Sequence, residues 1–175
     1  MTTLYVVEPL ALGKHRVAEF LCEEHELTEF LQNRALAEMT ARVSACFVLV
    51  PKADPGRIAG FYTLSAATIS LAKLPPEMTS RWPQYPNLPA TLLGRLARDQ
   101  NWRGEGLGDL LLMSALSRAL ESTGSVGAVA VVTDPKNTKA TEFYRRHGFR
   151  ELGSGKRMFL PMAEIAACLG EGGPG

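Results

Sequence analysis

The sequence predicts an α/β fold: a single domain whose mixed central sheet, of about six to seven strands, is flanked by helices. Three observations predict it. The apolar residues change period along the chain, from β-type runs such as "SACFVLV" to helix-spaced runs such as "ELTEFLQNRALAEM". A nearly all-apolar stretch of small and β-branched residues, "SVGAVAVVTD", has the composition of a strand buried on both faces. Between it and the strand "TLLGRLARD" lies a glycine-rich loop that opens directly into a helix. The resulting order, β-α-β-β-β-α-β-α-β-β, is that of a mixed sheet.

Each element has its own local reason. "TLYVVEP" reads as a first strand. "ELTEFLQNRALAEMTARV" places Leu27, Phe30, Leu31, Ala35, Leu36 and Met39 at helical spacing, with Thr28 near the start. "SACFVLV" ends at Pro51, "KADPGR" is a turn by its Asp-Pro-Gly chemistry, and "IAGFYTLSAATISL" returns as the second strand of a hairpin. "KLPPEMTSRWPQYPNLPA" carries five prolines and almost no periodicity, which predicts an ordered surface loop. Residues 107–122 follow the glycine loop as a helix. "NTKATEFYRRHG" is helical with Ala140, Phe143, Tyr144 and His147 on one side, and Gly148 stops it. "FREL" and "KRMFLPM" close the fold as a last pair of strands, and "GEGGPG" is a frayed end. The domain is expected over residues 1–170, with a disordered tail at 171–175. Internal repeats are not evident.

The bulk properties exclude several classes. A length of 175 residues suits one domain with a real core, and 46% apolar with 21% charged residues is ordinary for a soluble protein. No apolar run reaches the roughly 18 residues of a membrane span. "MTTLYVVEPL" lacks the charged segment and long apolar core of a signal peptide. Cys22, Cys46 and Cys168 are odd in number and widely spaced, and His15, His25 and His147 show no metal-ligand spacing. A reduced, cytoplasmic setting without a disulfide framework or zinc site is expected. Net charge is +1, but residues 95–160 hold eleven Lys or Arg against seven Asp or Glu, a balance of +4. That half carries the glycine loop, as an anionic ligand would need; a solvated face would look the same.

The loop itself, "NWRGEGLG", narrows the chemistry. A dinucleotide fingerprint fails in both frames, because the third glycine would fall on Leu111 or Asp109. A phosphate loop of the Walker type fails because Gly108 is followed by Asp109. What remains is Arg-x-x-Gly-x-Gly at the start of a helix. Such a start presents free backbone N–H groups and the positive end of the helix dipole. Gly104, Gly106 and Gly108 would let the backbone approach a phosphate, and Arg103 could add a charge-assisted contact. A tight strand–helix turn that merely needs glycine is the other reading.

"LARDQNWRGEGLGDLLL", followed by "NTKATEFYRRHGF", resembles the GNAT superfamily of N-acetyltransferases. The family's Arg/Gln-x-x-Gly-x-Gly/Ala loop matches Arg103, Gly106 and Gly108. Its second signature, Asn-x-x-Ala-x-x-Phe-Tyr-x-x-x-Gly-Phe, matches Asn137, Ala140, Phe143, Tyr144, Gly148 and Phe149. The resemblance implies that the loop from Arg103 through Gly104, Glu105, Gly106 and Leu107 to Gly108 binds the pyrophosphate of acetyl-CoA. It implies two splayed central strands, pantetheine pairing with backbone around Leu96, Ala97 and Arg98, and Asn137 holding that arm from the other side. It assigns Tyr144 as proton donor to the leaving thiolate; a core aromatic beside Phe143 is the alternative. Direct transfer in this family uses neither a metal nor a cysteine nucleophile.

A narrower likeness covers most of the chain. "FYTLSAATISL", "YPNLPATLLGRLARD", "RMFLPM" and "HELTEFLQNRALAE" look like the GNAT toxins of bacterial toxin–antitoxin pairs. This likeness implies acetylation of the α-amino group of an aminoacyl-tRNA, neutralisation by a ribbon-helix-helix antitoxin, no membrane partner, and allows a homodimer. Two departures stand out: Arg98 where the family usually has an apolar residue, and an altered start of the first helix in "LCEEHELTEF". The alternatives are a GNAT enzyme acting on a protein N-terminus, a lysine or a small amine, and a non-catalytic acyl-CoA-binding or partner-binding module.

Overall fold

A computed structural model of the chain describes residues 4–170; the expected tail at 171–175 lies outside them. Seven strands are β1 (Tyr5–Pro9), β2 (Ala45–Pro51), β3 (Gly60–Ser70), β4 (Asn87–Arg98), β5 (Ala130–Thr133), β6 (Arg150–Glu151) and β7 (Met158–Pro161). They form one sheet in the order β1-β2-β3-β4-β5-β7-β6. The pairs β1–β2, β2–β3, β5–β7 and β6–β7 are antiparallel, whereas β4 and β5 run parallel. The sheet is therefore mixed, as the sequence predicts. A parallel pair needs a crossover, and the helix at residues 107–122 supplies it.

Among the described residues six α-helices accompany the sheet: α1 (His25–Asn33), α2 (Ala35–Thr40), α3 (Pro76–Thr79), α4 (Leu107–Ser122), α5 (Thr138–Arg146) and α6 (Met162–Cys168). The chain packs as two units, one of residues up to Ser65 with Gly94–Ala115, the other of Ala66–Leu93 with the residues from Leu116 on. In the first, Phe20, Phe30, Leu31, Val48, Ile58 and Phe61 form the core, and Phe20 meets Phe61 edge-on at 5.4 Å. In the second, Ile69, Leu88, Val132, Leu152 and Phe159 do so.

Four local expectations are corrected. The single helix expected after β1 is two, broken at Arg34, whose backbone (φ −126°, ψ −29°) leaves the helical region. Hydrophobic periodicity survives such a break because only one residue is displaced. Thr28 lies inside α1, where its hydroxyl accepts the Cys22 N–H at 3.0 Å. A helical turn at Leu71–Lys73 leads into the proline-rich stretch, which holds α3, and its end is the start of β4. There Leu88 and Ala90 are buried while Asn87 and Pro89 are exposed, a strand alternation that the prolines obscure. The apolar run before residue 134 is strand only over Ala130–Thr133, all four buried. Finally, α6 is not anticipated; it buries Met162 and Ile165 after Pro161.

Candidate active site

Strand β4 is the starting point. Thr91, Leu92 and Leu93 stand in register with Val131, Val132 and Thr133 of β5. Among the described residues β5 ends at Thr133, while β4 runs on from Gly94 to Arg98. Leu96, Ala97 and Arg98 thus lie on the part of β4 that outruns its parallel neighbour.

Asp99 clamps the end of that segment. Its carboxylate is fully buried and accepts the N–H of Leu21 at 2.9 Å and of Asn101 at 2.8 Å. Arg57 faces it at 3.5 Å. Backbone bonds repeat the connection: Asp99 donates to Ala59 at 2.8 Å and Gln100 to Leu21 at 2.9 Å. Removing a buried carboxylate leaves two N–H donors unmatched and leaves the Arg57 guanidinium paired with Glu19, at 3.2 Å. Asp99→Ala is therefore expected to lower the unfolding free energy by about 3 kcal/mol. Urea denaturation would check this; a change below about 1 kcal/mol would show that water replaces the carboxylate.

The loop then turns into α4. Gly104 and Gly106 have φ of +81° and +74°, a region that side chains disfavour, whereas Gly108 already belongs to the helix. Leu107 is buried and anchors the first turn, with Leu111, Leu112 and Ala115 buried behind it. The loop exposes Arg103, Gly104, Glu105 and Gly106 ahead of a sixteen-residue helix.

Arg103 has a partner that sequence reasoning did not find. Glu23 Oε1 accepts from Arg103 Nε at 3.0 Å and from Arg98 Nη1 at 3.1 Å. The Arg103 hydrogen bond, with Arg98 adding to it, holds the Glu23 carboxyl down at about 2. Because that value is depressed, the pairing is present above the ordinary carboxylate range and is lost as pH falls from about 4.5 towards 2. The sign of Glu23 was visible in the altered helix start "LCEEHELTEF", but its partners lie 75 and 80 residues away.

The second group of expected residues lies on α5 and around it. Asn137 caps this helix, its Oδ1 accepting the Ala140 N–H at 2.8 Å. Gly148 (φ +94°) ends it, with Gly148 N–H on Arg145 O and Phe149 N–H on Tyr144 O, both at 3.1 Å. This cap fixes the turn on which Tyr144 sits. The Tyr144 ring is buried between Phe143 and Phe149, with centroids at 5.3 and 5.2 Å. The Thr133 side chain at the end of β5 favours the ionised form of its hydroxyl, a smaller effect than that of burial. Burial pushes the phenol up to about 12, so it keeps its proton at neutral pH. Beside Asn137 a cleft of about 300 Å³ is lined by Lys136, Thr138, Thr141, Glu151 and Lys156 among others. Lys136, Lys139, Arg145 and Arg146 are exposed, and Arg145 pairs with Glu151 at 3.0 Å.

Other nucleophiles are badly placed. Burial drives the Cys46 thiol up to about 12, Cys22 is buried with its Sγ on Glu24 O, and Cys168 is a lone exposed thiol. Among the described residues no His, Cys, Asp and Glu gather into a metal-binding group, and no helix is long and apolar enough to cross a membrane.

Comparison with known proteins places this arrangement. The chain is 30% identical over 174 residues to a probable toxin TacT of Sinorhizobium fredii, spanning 94% of this chain and 95% of that protein. It is 33% identical over 133 residues to a tRNA-acetylating toxin of Mycobacterium tuberculosis, spanning 76% and 77%. The structure of AtaT complexed with acetyl-methionyl-tRNAfMet superposes with a TM-score of 0.87 at 26% identity, covering 94% of this chain and 99% of that one. Residues 14–149, which contain the Arg-x-x-Gly-x-Gly loop, Asn137 and Tyr144, match the acetyltransferase (GNAT) family, and the chain belongs to that family.

Proposed function

We propose that this protein transfers the acetyl group of acetyl-CoA to the α-amino group of an aminoacyl-tRNA, blocking translation as the toxin of a toxin–antitoxin pair. The observation that carries the transferase part is the end of β5. There β4 outruns its parallel partner after the last paired position, Leu93 with Thr133, and the buried Tyr144 phenol keeps its proton at neutral pH. The acceptor and the toxin role rest on the relatives, which include a tRNA-acetylating toxin.

In this reading the N–H groups of Leu96, Ala97 and Arg98 meet the pantetheine arm and the thioester oxygen. The turn from Arg103 through Gly104, Glu105, Gly106 and Leu107 to Gly108 receives the pyrophosphate, and Asn137 adds a contact to the arm. A neutral amine attacks the thioester carbon and a tetrahedral oxyanion forms against backbone donors. The C–S bond then breaks, and Tyr144 gives its proton to the thiolate. An α-amino group titrates near 7.7 to 8.0, and the adjacent ester lowers this, so much of it is neutral without a dedicated base. Such a substrate places the enzyme in the cytoplasm. A ribbon-helix-helix antitoxin and a second copy of the chain are the partners this role implies.

The test offers labelled acetyl-CoA with charged tRNA, uncharged tRNA, a peptide and a polyamine. Label is expected on charged tRNA alone and should leave when mild base hydrolyses the aminoacyl ester. Label on the peptide or polyamine instead would replace this acceptor with a protein or small amine. A polyanionic acceptor also implies salt dependence, because each neutralised phosphate releases counterions. Replacing Lys136, Lys139, Arg145 and Arg146 by Ala should weaken tRNA binding and flatten its logarithmic salt slope by about 3, with acetyl-CoA affinity unchanged. An unaltered slope would remove these four side chains from the tRNA surface.

The Glu23 contact gives a separate expectation. An anion arriving at Arg103 competes with a carboxylate already there. Glu23→Gln should tighten acetyl-CoA binding by about two- to fivefold at low salt, the scale of an exposed ion pair, and less at high salt. Calorimetry that shows weaker binding would mean that Glu23 orients the arginine instead.

A further inference from the structure

The two departures from the family pattern, Arg98 and the altered helix start "LCEEHELTEF", meet in the fold. Arg98 Nη1 donates to Glu23 Oε1 at 3.1 Å and reaches Oε2 at 3.4 Å. Arg103 Nε donates to the same Oε1 at 3.0 Å. Two guanidiniums therefore converge on one carboxylate oxygen. Like charges repel, so an anion between them is what holds them together. The two differ in freedom: the Arg98 side chain is 24% exposed and the Arg103 side chain 66%. Arg98 is the fixed member, at the last position of β4, where a strand needs no charge.

A carboxylate and a phosphate offer a guanidinium the same thing, anionic oxygens that accept its N–H groups. Glu23 brings one negative charge to two arginines, whereas a diphosphate brings one on each phosphate. Exchange of Glu23 for phosphate at Arg103 alone would be one pair for another. With Arg98 engaged as well, the diphosphate gains a second pair, and the exchange becomes favourable. The placement suits the cofactor, in which the diphosphate follows the pantetheine arm that the Arg98 backbone meets.

We propose that the Arg98 side chain is a second diphosphate-binding group of the acetyl-CoA site, and that Glu23 is the internal anion that keeps Arg98 and Arg103 converged until the diphosphate displaces it. This rests on the loop from Arg103 to Gly108 being the diphosphate site of the proposed reaction.

The test measures CoA and pantetheine binding by calorimetry on Arg98→Val, Glu23→Gln and the double variant, with thermal unfolding to confirm the fold. Arg98→Val should weaken CoA binding about five- to tenfold, the scale of a partly exposed hydrogen bond between charged groups, and by less at high salt. Pantetheine, which has no phosphate, should bind within about twofold of the parent. In the Glu23→Gln background Arg98→Val should cost as much again, because its partner there is the ligand. If Arg98→Val costs nothing in that background, Arg98 serves only to neutralise Glu23 and the proposal is overturned. An equal loss for pantetheine and CoA would place the effect in the strand backbone and overturn it too. Should Arg98→Val not fold, Arg98→Gln in the same cycle gives the same readout. A folded Gly106→Val protein that binds CoA as the parent does would instead remove the loop as the diphosphate site, and this proposal with it.

Discussion

Replacing Tyr144 by Phe is expected to lower kcat by about 10²- to 10⁴-fold while acetyl-CoA affinity stays near that of the parent. The two effects separate because the ring and the hydroxyl have different surroundings. Phe keeps the edge-on contacts with Phe143 and Phe149, so the packing of α5 survives. On the proposed mechanism, what is lost is the proton that neutralises the thiolate as the C–S bond breaks. A purely packing role for Tyr144 makes the opposite forecast: kcat within a factor of three and a small change in thermal midpoint. The pH profile adds a second readout. The Tyr144 value is raised from the ordinary phenol range to about 12, so the folded preference for the neutral form holds below pH 10 and fades only from there to about 12. Activity should therefore rise with pH as the acceptor amine loses its proton, then stay level to at least pH 9. A fall between pH 7 and 9 would point to a different acid.

What the sequence could disclose depended on how far apart interacting residues lie along the chain. The bounds of α4 follow from its own spacing, because Leu111, Leu112, Ala115, Leu116 and Ala119 are all buried. Tyr144 was legible through a motif contained within thirteen residues, Asn137 to Phe149. Glu23, Asp99 and Thr133 were not. Each acts on a partner brought near only by folding: Arg103 lies 80 residues from Glu23, Leu21 lies 78 from Asp99, and Leu93 lies 40 from Thr133. Short elements fail for a different reason. The seven residues of α6 give two turns, too few for a period to emerge beside Pro161. Proline punctuation likewise hid the strand alternation that begins β4, since Pro89 sits at an exposed position where a missing N–H is tolerated.

Gly106→Val should abolish measurable acetyl-CoA binding, a loss of at least about a hundredfold, while leaving a folded protein. Nothing beyond its chain neighbours lies within 4 Å of where a Cβ on Gly106 would stand, so the added Cβ has room. The cost to the fold is confined to the backbone, where φ of +74° suits glycine and strains a β-branched residue by about 1–3 kcal/mol. Relief of that strain requires φ to become negative, and this re-aims the N–H groups just ahead of Leu107. A bound pyrophosphate needs those donors converging on it, and it needs the space the side chain would fill. Gly106→Ala should fall between, with weaker strain and a smaller obstruction. Gly108→Ala should bind almost as the parent does, because Gly108 lies within α4 and its family position admits alanine. Calorimetry on the three variants, with thermal unfolding to confirm the fold, reads the order directly. Parent-like affinity in a folded Gly106→Val protein would mean that the glycines serve only the strand–helix turn and that the phosphate binds elsewhere.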